Sequence, residues 1–265
     1  MNQEAKSEIQ NPKSETNCSD FGFRISGFPV WIVLAFALVF PSVMAWTEYV
    51  VTPAGGRGPN VATQMAYGGG KLAQFALPLL AMPLFSRRLP WPAWPTRRGL
   101  ALGLAFGLAV AAGIMVLYFV FLRDTSVFNE TPAKVHGKLQ EFGLDSAWGF
   151  ALFAAFITVL HSFLEEYYWR WFLFGWLQRY LKLAAAIGLS SLGFMAFHVF
   201  ALHAYLPGHF LSAVVPLSLC VGIGGVVWAW LYHRSGSLFA PWLSHLVVDA
   251  ALFVVGYDLF FVRAG

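Results

Sequence analysis

Three groups of ionisable residues sit inside otherwise apolar stretches of this chain. The first is His161-Ser-Phe-Leu-Glu165-Glu166-Tyr-Tyr-Trp-Arg170. On a helix, residues four apart share a face. His161 then falls beside Glu165, and Glu166 beside Arg170. Glu four residues ahead of a base is the favourable order for an ion pair. Arg170 would neutralise Glu166 and leave Glu165 without a cation of its own, available as a general base. The structural alternative is an interfacial ion pair with Glu165 merely in water. The second group, Phe194-Met-Ala-Phe-His198, places one imidazole in an apolar run. Such a His either hydrogen-bonds a neighbouring helix or does chemistry. The third, His245-Leu-Val-Val-Asp249, puts an imidazole and a carboxylate on one face. That spacing fits an oriented His–Asp pair, half a metal site, or a structural hydrogen bond. A charge at the bilayer centre costs about 2.5–3.5 kcal/mol on insertion scales, so three such groups in one chain call for a function. Two histidines and a carboxylate can meet in a bundle core with Glu165 beside them.

Other chemistries find no support. There is no HExxH and no GxSxG. Ser162 follows His161, but adjacent helical residues point apart, so a serine nucleophile does not follow. Gly68-Gly69-Gly70-Lys71 lacks the spacing and preceding strand of a phosphate loop. Close helix packing is the expectation there. Cys18 and Cys220 cannot build a disulfide framework.

The elements that must position these groups are membrane helices. Of 265 residues, 58% are apolar without glycine and 11% charged. A soluble domain carries about 25% charged residues, so too little charge is present to cover a water-facing surface. Disordered, coiled-coil and disulfide-scaffold classes are excluded as well. The expected fold is all-α, a polytopic membrane bundle with its cavity in the C-terminal half. A span needs about 20 mostly apolar residues. Seven candidates lie at about 28–50, 63–85, 99–122, 147–164, 184–203, 210–232 and 238–262. The second is the weakest, being interrupted by the Gly68–Lys71 tract. The expected organisation is a polar tail over 1–27, N-terminal helices over 28–122, an extramembrane loop over 123–146 and a catalytic core over 147–262. The tail is too long and too acidic for a secretory signal, so the first span is read as retained. Residues 165–181 read as an aromatic helix in or near the interface. Leu89-Pro-Trp-Pro-Ala-Trp94 reads as an interfacial anchor. The distribution of Arg and Lys, including Arg87-Arg88 and Arg97-Arg98, favours a cytoplasmic N-terminus. In a bacterium the membrane would be the inner one. Net charge is +4, but no basic patch with interleaved aromatics points to nucleic acid.

In this order, the three groups resemble the CPBP family of CAAX proteases and bacteriocin-processing enzymes, related to the Rce1 prenyl-protein endopeptidase. That family's pattern is EExxxR, then FxxxH, then HxxxN or HxxxD. Here it reads Glu165-Glu166-Tyr-Tyr-Trp-Arg170, Phe194-Met-Ala-Phe-His198 and His245-Leu-Val-Val-Asp249. The run Arg234-Ser-Gly-Ser-Leu-Phe-Ala-Pro-Trp242 also resembles the family's lead-in to its last motif. The resemblance covers about 147–255. It implies an intramembrane endopeptidase acting on a peptide or protein substrate that enters from the bilayer. It implies Glu165 as the base, His198 as its helper, and His245 with the residue at 249 facing the oxyanion. Glu166 and Arg170 fill supporting positions, as does Phe194. His161 lies outside the pattern but within reach of Glu165.

Position 249 leaves alternatives open. An Asn could donate to an oxyanion, whereas an ionised Asp only accepts. Asp249 is therefore protonated, or orients His245, or ligates a metal. The last option gives a zinc set of His198, His245, Asp249 and Glu165. No cofactor is the favoured reading. Two rival classes are a proton-coupled transporter and a non-catalytic scaffold or immunity protein. The chain shows no repeated halves of the kind transporters carry, and all four positions keep chemically competent residues.

Overall fold

The computed structural model describes residues 28–51, 61–85 and 89–263. The polar tail, Cys18 and Arg87-Arg88 lie outside the described residues. Every described element is a helix. Helix α1 covers Phe28–Trp46 and runs on through a wide π turn, Thr47–Val51. Helix α2 is Val61–Ala81, α3 is Arg97–Leu122, and the short α4 is Thr131–Phe142. The C-terminal half contains α5 (Ala147–Tyr180), α6 (Leu183–Tyr205), α7 (Phe210–Ser235) and α8 (Phe239–Val262).

Six of these helices are long and apolar enough to cross a membrane, and the protein is an integral, multi-pass membrane protein. The seventh expected span, α2, forms as a helix but is not among the six. Gln64, the glycine tract, Lys71 and Gln74 lower its apolar character. Part of the tract does pack closely: a Cβ on Gly70 would overlap the Met44 side chain of α1, while Gly68 and Gly69 face open space. The 123–146 segment holds α4, closed by Gly143 at φ 68°.

Helix α5 differs most from expectation. Ser146 caps it, accepting from the Gly149 N–H at 3.0 Å, and no proline interrupts the following 34 residues. Two π segments, Phe156–His161 and Tyr167–Phe174, flank the ordinary α-helical Ser162–Glu166. Such widened turns recur at functional sites. The aromatic run packs into the core of the protein. Tyr168, Trp169, Phe172 and Phe174 are fully buried. The Tyr168 hydroxyl donates to the Ala37 carbonyl at 2.6 Å, and Trp171 Nε1 donates to the Pro90 carbonyl at 2.9 Å. Trp91, itself exposed, stacks on Trp171 at 5.3 Å.

Glycine sets the closest helix approach. Gly99, Gly103 and Gly107 form a buried stripe on α3 against α8. A Cβ at Gly103 would overlap the Ala240 carbonyl, and one at Gly107 would lie 2.9 Å from the Ser244 carbonyl oxygen. Small residues four apart let membrane helices approach closely. This seam fixes α8, which carries His245 and Asp249. Gly103→Ala is expected to destabilise the fold by about 1–3 kcal/mol through overpacking, read as a lower unfolding midpoint in detergent. An unchanged midpoint would mean that α3 is free to withdraw from α8.

Candidate active site

Antiparallel pairing places the first two motifs at one depth. Helices α5 and α6 are joined by two residues, Leu181 and Lys182. Glu165 lies fifteen residues before the end of α5, and His198 lies fifteen after the start of α6. Both are therefore about 22 Å from the turn at 1.5 Å per residue. Helix α8 brings His245 and Asp249 to the same place. Glu165, His198, His245 and Asp249 all line one cavity of about 250 Å³.

Within it, His245 Nε2 lies 3.8 Å from Glu165 Oε2 and 3.6 Å from Asp249 Oδ1. The other ring nitrogen is committed: Nδ1 donates to Glu166 Oε1 at 2.9 Å. Trp228 stacks on the imidazole at 4.2 Å and donates from its own Nε1 to Ser244 Oγ at 2.9 Å. His245 is thus fixed by an acceptor at one nitrogen and a ring against one face. His198 is oriented by its own helix, since Nδ1 donates to the Phe194 carbonyl at 2.8 Å. That leaves Nε2 as the nitrogen able to take a proton.

Glu166 and Arg170 are both fully buried, with Arg170 Nε 3.1 Å from Glu166 Oε2. The guanidinium also lies 4.7 Å from the Phe194 ring centroid and 5.5 Å from that of Trp228. Charge and two ring faces hold it, as expected for a desolvated cation. Phe194 is therefore packed between Arg170, His198 and His245. Both contacts expected from helical spacing form, Glu166 with Arg170 and Glu165 with His161. Glu166 does more than pair with Arg170, because it also holds His245. His161 Nε2 lies 3.2 Å from Glu165 Oε1, as the spacing predicts, and His245 is close to its other oxygen. Glu166 and Asp249 face different nitrogens of His245, Nδ1 at 2.9 Å and Nε2 at 3.6 Å.

The cavity also draws on the N-terminal helices, beyond the C-terminal half expected to hold it. Glu48 and Tyr49 of α1, and Tyr67 and Lys71 of α2, line it. Glu48 pairs with Lys138 of α4 at 2.6 Å. Sequence reasoning missed these residues, although Glu48 and Lys71 are ionisable groups in apolar runs and carry the same signal as the three motifs.

Among the described residues, no three His, Cys, Asp or Glu side chains are grouped to share one ion. Nδ1 of His198 and of His245 is engaged within the protein, which leaves each Nε2 facing the cavity, a pattern that metal-bound His also shows; no reaction step is routed through a metal.

The family described as Type II CAAX prenyl endopeptidase Rce1-like matches residues 147–251. The chain carries an Rce1-like domain. It begins with α5, ends within α8 and contains all three motifs. No curated protein and no solved structure matches the chain. By that description the matched family is one of endopeptidases.

Proposed function

We propose that the protein is an intramembrane endopeptidase that hydrolyses a peptide bond of a membrane-associated or lipidated substrate. The observation that carries this reading is the gathering of Glu165, His198, His245 and Asp249, all from the Rce1-like segment, around one cavity. Water in the cavity gives a proton to Glu165, with His198 Nε2 accepting a hydrogen bond from the same water. The resulting hydroxide oxygen attacks the scissile carbonyl carbon. Charge develops on the carbonyl oxygen opposite His245 and Asp249. His245 Nε2 donates to it when the ring holds both protons, and Asp249 donates when its carboxyl is protonated. As the C–N bond breaks, the proton on Glu165 passes to the leaving amine. The low-dielectric surroundings strengthen each contact. Glu166 acts through His245, as a positioning residue.

The test is made on purified protein in nanodiscs with membrane-anchored peptides, read by mass spectrometry, beside a proton-flux assay in proteoliposomes. Cleavage products without flux are expected. Flux without cleavage would favour the transporter class. EDTA or phenanthroline is expected to leave the rate unchanged. Inhibition that added zinc reverses would favour a metal-dependent reaction.

A further inference from the structure

Lys71 lines the cavity, and the proposed reaction does not use it. It comes from α2, and its ammonium lies 5.9, 5.8 and 5.6 Å from the ring centroids of Tyr67, Phe75 and Phe197. Phe197 is the neighbour of His198, so the charge stands beside the reacting centre. The carboxylates lining the cavity each have a basic partner. Glu165 has His161, Asp249 has His245, and Glu48 has Lys138. No carboxylate among the described residues lies within 4.0 Å of the Lys71 ammonium. An ammonium has three donors, and ring faces alone leave them unmet.

We infer that Lys71 is a subsite for a carboxylate of the peptide substrate. This rests on the hydrolase reading above and adds the charge that the substrate carries near its scissile bond. The cavity, at about 250 Å³, is below the range of about 300–1,000 Å³ usual for small-molecule pockets. It suits a short piece of chain with one anionic group. That group is either a free C-terminal carboxylate or an Asp or Glu side chain. The competing role for Lys71 is a plain counter-charge to Glu165.

A library of membrane-anchored peptides in matched pairs separates these. One set ends in a carboxylate or a carboxamide, and the other carries Asp or Asn at internal positions. The wild type is expected to favour the charged member of one set by about tenfold in kcat/KM, as one charge-assisted hydrogen bond would give. Which set shows the preference identifies the carboxylate. Lys71→Met and Lys71→Gln should bring that ratio to parity while neutral peptides are still cleaved. Lys71→Arg should keep most of it. Two neutral variants guard against one that fails to fold. Absence of preference in the wild type overturns the inference. So does a neutral variant that slows both members of a pair alike, which is the behaviour of a counter-charge. Failure of the wild type to cleave any peptide would instead sink the hydrolase reading, and the inference with it.

Discussion

Glu165→Gln is expected to lower kcat by about 10²–10⁴-fold, the range that a positioned general base contributes. Gln has the shape of Glu, so it can keep the His161 contact, now 3.2 Å from Oε1. What it loses is the ability to accept a proton from water. Glu165 is buried at 3% exposure, so bulk water cannot substitute for it. The fold should survive, because the variant removes a charge from a buried position without creating a cavity. Unfolding midpoint and cleavage rate must therefore be measured together. A folded Gln variant that cleaves at the wild-type rate would remove Glu165 from the base role.

Arg170→Met is expected to be the most damaging change to stability. Both Arg170 and Glu166 are fully buried. Removing one partner of a buried ion pair costs about 3–5 kcal/mol, because the other charge is left uncompensated. Met matches much of the Arg stem, so packing against Phe194 and Trp228 is partly kept and the loss reports the charge. Turnover should fall as well, since a Glu166 that has lost its cation no longer holds His245 Nδ1 at its present geometry. Detergent unfolding and cleavage of the same preparation read the two effects. Normal stability with normal turnover would show that the buried pair contributes to neither.

The sequence carried the local half of this site. The His161–Glu165 and Glu166–Arg170 pairs are four residues apart, and helical spacing alone predicts both. The membrane class followed from the scarcity of charge. The contact between His245 and Glu166 spans 79 residues, and no local period encodes it. Helical spacing therefore shows Glu166 with one partner only. How deeply the aromatic run from Tyr167 to Trp176 packs into the protein is hidden in the sequence for a related reason. A side chain facing lipid and one facing a protein core have the same composition, and an all-apolar helix has no polar face to orient it. Lys71 and Glu48 are visible by the insertion-cost rule that picks out the motifs, but Lys71 reads with its glycine tract as helix packing and Glu48 lies near the end of its apolar run. The Gly99, Gly103 and Gly107 stripe was legible as small residues four apart. What it packs against was not.

The central claim is that Glu165 and His245 work on one reacting carbonyl. A double-mutant cycle tests it most directly, with kcat measured for Glu165→Gln, His245→Gln and the pair. Groups that act as a unit are strongly non-additive. The double variant should be no slower than the worse single variant. Losses that multiply, as for two independent sites, would contradict a shared centre.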